Sequence, residues 1–186
     1  MRAVSDCGQL HHGNEIWFAR QIALDKQAMG HPEQALSDLQ QLATKKPHGF
    51  MHTDIARAAW QAGDIDSTFK HALQALLAPD EIGFKLDAAL LVAQVLWKRG
   101  DLDLARTHLC LCLAVRESKG WKVDQDLMTL SSNWDVNEPR RDLKVILSEL
   151  QQVWRGWSEE LTPTQCGTIV KPASARTFRL HTIECW

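Results

Sequence analysis

The sequence predicts an all-α protein: an array of about three helix–turn–helix units, then a further amphipathic helix and a short C-terminal β-hairpin. Two observations carry the array. The segments Ala56–Asp66 and Ala93–Asp103 align without a gap at an offset of 37 residues, each with a tryptophan three before a glycine and an aspartate after it. A weaker copy, Ala23–Gly30 followed by His31 and Pro32, lies 33 residues upstream of the first. A third observation sets the helical class, since the apolar residues around these glycines recur at spacings of three and four.

Residues 1–14 are polar and read as a flexible N-terminus, with no apolar stretch of the kind a secretory signal needs. The first unit follows. After Gly30 the residues Ala35, Leu36, Leu39, Leu42 and Ala43 fall on one helical face, and Pro47 ends the run. After Gly100, Leu102, Ala105, Leu109 and Cys112 form the same stripe. Glycine suits the left-handed conformation that closes a helix, and Asp64 and Asp101 stand where a carboxylate caps the next one. Ala23, Ala56 and Ala93 on the first helices, with Ala35 and Ala105 on the second, let paired helices approach closely.

These residues together resemble the tetratricopeptide repeat over residues 15–117. The first unit matches at Ala23, Gly30, Ala35, Leu39, Leu42 and Pro47, with Lys26 and Gln27 in place of a bulky pair. The second matches at Ala56, Trp60, Gly63 and Ala75, with Thr68 where alanine is expected. The third has Ala93, Leu96, Trp97, Gly100, Ala105 and Cys112, and lacks the closing proline. The resemblance implies a right-handed superhelical array whose first helices line a concave groove.

Beyond the array, residues 118–160 read as a linker and a capping helix. Gly120 and Trp121 close a helix, and Asp126 to Leu130 is too short and mixed to assign. Asn137, Glu138 and Pro139 read as a helix start. Leu143, Ile146, Leu147, Leu150, Trp154 and Trp157 then mark an amphipathic helix suited to covering the open end of a solenoid. In residues 161–186, Thr168–Val170 and Thr177–Ile183 read as two strands around a turn. Gly167 to Lys171 followed by Phe178 is faintly similar to the first hairpin of a cold-shock or OB-type barrel. A barrel needs five strands, so a hairpin from Thr168 to Ile183 is the expectation.

Composition limits the function. The chain has 186 residues, 45% apolar and 24% charged, with a net charge of −2, which speaks against a strongly basic nucleic-acid binder. Its longest apolar run, Leu109 to Val115, is far short of the roughly 20 residues of a membrane helix. A cytoplasmic protein without a membrane role is expected. The five cysteines are odd in number and irregularly spaced, so Cys110 and Cys112 read as small buried hydrophobes. His48 and His52, four apart, would be half a zinc site, but Pro47 and Gly49 break the local helix and no HExxH glutamate is present. A structural or solvent pair is the favoured reading. His71 and His108 read as interhelical or surface residues, and no nucleotide loop, nucleophile elbow or deaminase motif occurs. No cofactor, metal or catalytic residue is expected.

The expected role is a non-enzymatic interaction module that binds a peptide or protein surface in the groove. The family phase places Arg20, Leu24 and Gln27, Thr53, Arg57 and Trp60, and Leu90, Gln94 and Trp97 along it. Tryptophan and arginine are enriched at binding hot spots. Trp60 and Trp97 fit interhelical packing equally well, and both readings stand at this point. The lysine-and-asparagine clamp that some relatives use on a C-terminal carboxylate is missing. The alternative is a nucleic-acid-associated protein using the C-terminal element, with Lys171, Arg176, Phe178 and Arg179 as a weak contact patch.

Overall fold

Amphipathic segments separated by left-handed glycines double back on themselves, and the computed structural model has that form. It describes residues 15–46, 48–136 and 142–161, and the backbone of 167–168 and 181–182. Eight helices run through the described residues: α1 Glu15–Ala28, α2 Pro32–Lys45, α3 Gly49–Gln61, α4 Ile65–Leu77, α5 Leu86–Arg99, α6 Leu102–Ser118, α7 Gln125–Asn133 and α8 Leu143–Leu161. A 3₁₀ turn, Ile82–Lys85, leads into α5. From α1 to α6 each helix packs on the one before it, and α3 also touches α5.

The hairpin turns share one chemistry. Gly30, Gly63 and Gly100 have φ of 85°, 80° and 85°. At each, no atom lies within 4 Å of where a Cβ would sit, so backbone conformation alone asks for glycine. The residue after each glycine donates its N–H back to a carbonyl five residues earlier: His31 to Lys26 at 3.0 Å, Asp64 to Ala59 at 2.9 Å, Asp101 to Leu96 at 3.0 Å. Trp121 makes the same bond to Arg116 at 2.8 Å after Gly120, closing α6. Of the two expected caps, Asp64 accepts from the Ser67 N–H at 3.0 Å, whereas Asp101 makes no side-chain cap.

The departures from the repeat pattern have physical consequences. Thr68 is fully buried in the alanine position, and its hydroxyl is satisfied by the Asp64 carbonyl at 2.6 Å. Lys26 holds Asp38 on α2 at 2.5 Å in place of bulky packing. Without a closing proline α6 extends to 17 residues, against 14 for α2 and 13 for α4, which stops before Ala78 and Pro79. The five small residues on paired faces are all fully buried.

Two apolar cores result. Ala23, Ala35, Leu39, Leu42, Met51, Ile55 and Ala58 join α1, α2 and α3. A larger core runs from Ala56 of α3 through α4, α5 and α6 to Trp134, Ile146, Leu150 and Trp154. The stretch left unassigned in sequence holds α7, whose start is capped by Asp124 accepting from Leu127 N–H at 2.9 Å. The amphipathic helix, α8, packs on α4 and on α6, the last helix of the array, with Ile146, Leu150 and Trp154 buried. A hydrogen bond fixes it there: the Trp154 Nε1–H donates to His108 Nε2 on α6 at 2.9 Å. Asn137, Glu138 and Pro139 lie outside the described residues. The first bonds of α8 go to the Asp142 carbonyl, and the Asp142 carboxylate accepts from Lys144 N–H at 2.8 Å. At the C-terminus Gly167–Thr168 pairs antiparallel with His181–Thr182. The remainder of the expected hairpin lies outside the described residues.

Candidate interaction face

The first helices of the three units, α1, α3 and α5, meet through a line of charged side chains. Arg20 on α1 donates from Nε to Asp54 Oδ2 on α3 at 2.5 Å. Asp54 Oδ1 lies 3.6 Å from Arg57 Nη1, and Arg57 Nη2 reaches Asp87 Oδ2 on α5 at 2.5 Å. Asp54 is only 4% exposed, so its charge depends on the two guanidinium groups, while both arginines keep part of their surface in solvent. The result is an alternating Arg–Asp–Arg–Asp ladder across three helices.

Aromatic groups flank it. Trp17 on α1 stacks on Phe50 at the start of α3 with centroids 5.2 Å apart, and the Arg20 guanidinium sits 5.2 Å above the same Phe50 ring. Trp17 is 45% exposed. At the other end Trp60 lies under Lys98, with Nζ 4.1 Å from the ring centre. Trp97 stacks flat on Trp134, 4.5 Å away at an interplanar angle of 5°. Arg106 Nε donates to the Trp134 carbonyl at 2.8 Å and holds that ring in place.

The expected groove residues therefore divide. Arg20 and Arg57 reach the face as charged, partly exposed groups. Leu24, Leu90 and Gln94 are half-buried, as are Trp60 and Trp97, so neither tryptophan is wholly core or wholly open. Gln27 and Thr53 are buried and offer a partner little surface. Thr53 is enclosed by the turn before α5, where it shares a small recess with Ala75 and Lys85. Sequence reasoning missed Asp54, Asp87, Trp17, Phe50 and Trp134. Trp17 and Phe50 stand 33 residues apart, the repeat offset itself, so that pair was readable; Trp134 carried no periodic signal. Lys171, Arg176, Phe178 and Arg179 lie outside the described residues.

His71 and His108 stand at interhelical contacts as expected, whereas His48 and His52 do not pair with each other. His48 stacks on Phe50 with centroids 5.3 Å apart, while His52 turns to His71 on α4, their Nδ1 atoms 3.2 Å apart. One ring must donate and the other accept, so this contact holds a single proton. Burial lowers the pKa of His52, and burial followed by repulsion from His52 and Lys70 pushes His71 down to about 4. His108 is fully buried, its Nδ1 2.7 Å from the Leu104 carbonyl and its Nε2 accepting from Trp154. That pattern requires the neutral Nδ1–H tautomer, and burial pushes its pKa down to about 4. Cys112 is buried and its thiol is pushed up to about 12 by desolvation, which makes it an inert packing residue. Among the described residues no three histidine, cysteine or acidic side chains converge as metal ligands. No described helix is long and apolar enough to cross a membrane.

Fold and face together define an all-helical protein of stacked hairpins, with one long amphipathic helix laid along the second helices. The chain belongs to the family of a domain of unknown function, DUF7017, whose match covers residues 16–152, from α1 into α8. Among curated proteins none matches the chain.

Proposed function

We propose that this protein is a tetratricopeptide-like, non-enzymatic interaction module that binds a peptide or protein surface along α1, α3 and α5. The ladder from Arg20 to Asp87 carries the reading. It places two partly exposed guanidinium groups in fixed positions on one face, beside the exposed Trp17–Phe50 stack. Arginine and tryptophan held in advance by neighbours lose little entropy on binding and supply hydrogen bonds and apolar contact together. Nearly every charge on this face already has an intramolecular partner, so a ligand would add to the ladder's ends and to Trp17 rather than replace its core. In the superhelical arrangement that the repeat phase implies, this face is the concave one.

The test is affinity capture from the native cell with quantitative mass spectrometry, run in parallel on the wild type, Trp17→Ala and Arg57→Ala. A partner held by the wild type and depleted at least several-fold by both variants supports the reading. Identical captured sets for all three, with each variant folded by circular dichroism, would refute it.

A further inference from the structure

A second recess lies on the other side of the array. It is a cleft of about 540 Å³ where the ends of α4, α5, α6 and α8 come together. Its apolar floor is Phe69 and Trp157, in an edge-to-face contact with centroids 5.2 Å apart. Three carboxylates from separate elements line it: Asp66 in the first turn of α4, Asp101 in the turn between α5 and α6, and Glu160 near the end of α8. Among the described residues the only cation lining it is Arg99, which is bound to Asp66 at 2.7 Å and lies over Phe69, 4.7 Å from the ring centre. With that pair neutral, Asp101 and Glu160 leave the cleft with excess negative charge. Neither takes part in an ion pair among the described residues.

We propose that this cleft binds an arginine side chain presented by a partner polypeptide. Charge sets the sign of the ligand, and the floor sets its shape. Arg99 already shows the contact set within the chain: a guanidinium stacked on one ring and hydrogen-bonded to one carboxylate. Trp157, one face of which stacks on His108, lines the cleft together with Glu160 and Asp101, the same residue types again, and no described residue supplies a second cation there. A planar guanidinium can stack on the indole and still direct N–H groups sideways to carboxylates, whereas an ammonium is a more strongly hydrated point charge. α4, α8 and the turn between α5 and α6 supply most of the cleft, and α5 adds Leu96 and Arg99; none of these residues belongs to the face on α1, α3 and α5, so the proposal does not depend on the function proposed for that face.

The experiment is fluorescence anisotropy with the full chain at low salt, using short labelled peptides of alternating glycine with arginine, lysine or glutamate. Saturable binding of the arginine peptide is expected, weaker by several-fold for lysine and absent for glutamate. Asp101→Asn and Glu160→Gln, both at the solvent edge, should each weaken the arginine peptide by roughly three- to tenfold. Trp157→Leu should do the same, with its melting temperature measured alongside, and Arg57→Ala on the other face should bind as the wild type does. Absence of saturable binding, or equal affinity in the carboxylate variants, would overturn the proposal. Lysine binding as tightly as arginine would do so too, because charge alone would then explain it. Binding seen only after removal of residues 162–186 would show the chain's own C-terminal segment to be the occupant, and would likewise overturn it.

Discussion

Acid should loosen the attachment of α8 through one residue. His108 is folded into the protein neutral, with its pKa held at about 4, and in the unfolded chain it titrates near its ordinary value of about 6.5. A depressed pKa in the folded state means that the unfolded chain takes up the proton first. The contribution is therefore complete above pH 6.5 and is lost as the pH falls toward 4. From those two values the loss is about 2 kcal/mol by pH 5 and about 3 kcal/mol by pH 4. Carboxylates also titrate in this window and His71 acts in the same direction, so the wild-type slope alone is not diagnostic. The comparison to make is with His108→Gln, which keeps an oxygen near the Nε2 position to accept from Trp154 and has no proton to gain. Urea unfolding followed by circular dichroism at pH 7, 6 and 5 gives the free energy of each protein. The wild-type advantage at pH 7 should shrink by about 2 kcal/mol at pH 5. A gap that stays constant across the series would refute the assignment of a neutral, buried imidazole.

Gly63→Val should cost about 1–2 kcal/mol from left-handed strain alone, since the side chain itself has room; urea unfolding checks it, and a neutral result would contradict the φ of 80°. Asp54→Ala removes the carboxylate shared by Arg20 and Arg57. Because the arginines are partly solvated and Arg57 keeps Asp87, a loss of about 1–2 kcal/mol is expected, short of a fully buried pair. Trp97→Ala should lower the melting temperature by several degrees, as it empties one side of the Trp134 stack; an unchanged melting temperature would leave partner binding as its role.

What the sequence made legible was local and periodic. The turn glycines, the alanine faces and the paired helices could be read because each depends on residues within one repeat offset, and the same hydrogen bond recurs at every turn. Gly120 was readable for the same reason. The location of α8 was not, because an apolar stripe says that a helix face will be buried without saying against what. Long-range contacts such as Trp154 with His108, 46 residues apart, and Trp157 with Phe69 determine that. The charged ladder was half legible: Arg20 and Arg57 followed from the repeat phase, but their partners Asp54 and Asp87 did not. Those are ordinary acidic residues until two helices pack. Gln27 and Thr53 went the other way, holding the right phase on a helix whose neighbours then covered them.

The two ends of the array are finished differently, and this has a consequence for stability. Behind α6 the chain continues into α7, and Trp134 closes over Trp97, while α8 braces α4 and α6 from the side. Among the described residues nothing comparable braces α1 and α2. Their core is the smaller one, and Phe18 and Ile22 on α1 and Met29 in the turn after it stand more than half exposed. Phe18 and Ile22, four apart, share one face of α1 that the described residues leave uncovered. In a stack where each hairpin is stabilised by its neighbours, a unit with a neighbour on one side only opens first. The amides of α1 and α2 should therefore exchange with solvent faster than those of α5 and α6, at free energies below that of global unfolding. Hydrogen exchange read by mass spectrometry resolves the two hairpins. Equal protection of both would mean that the ladder from Arg20 to Asp54, with the Trp17–Phe50 stack, couples the first hairpin to the rest as firmly as α8 couples α4 to α6.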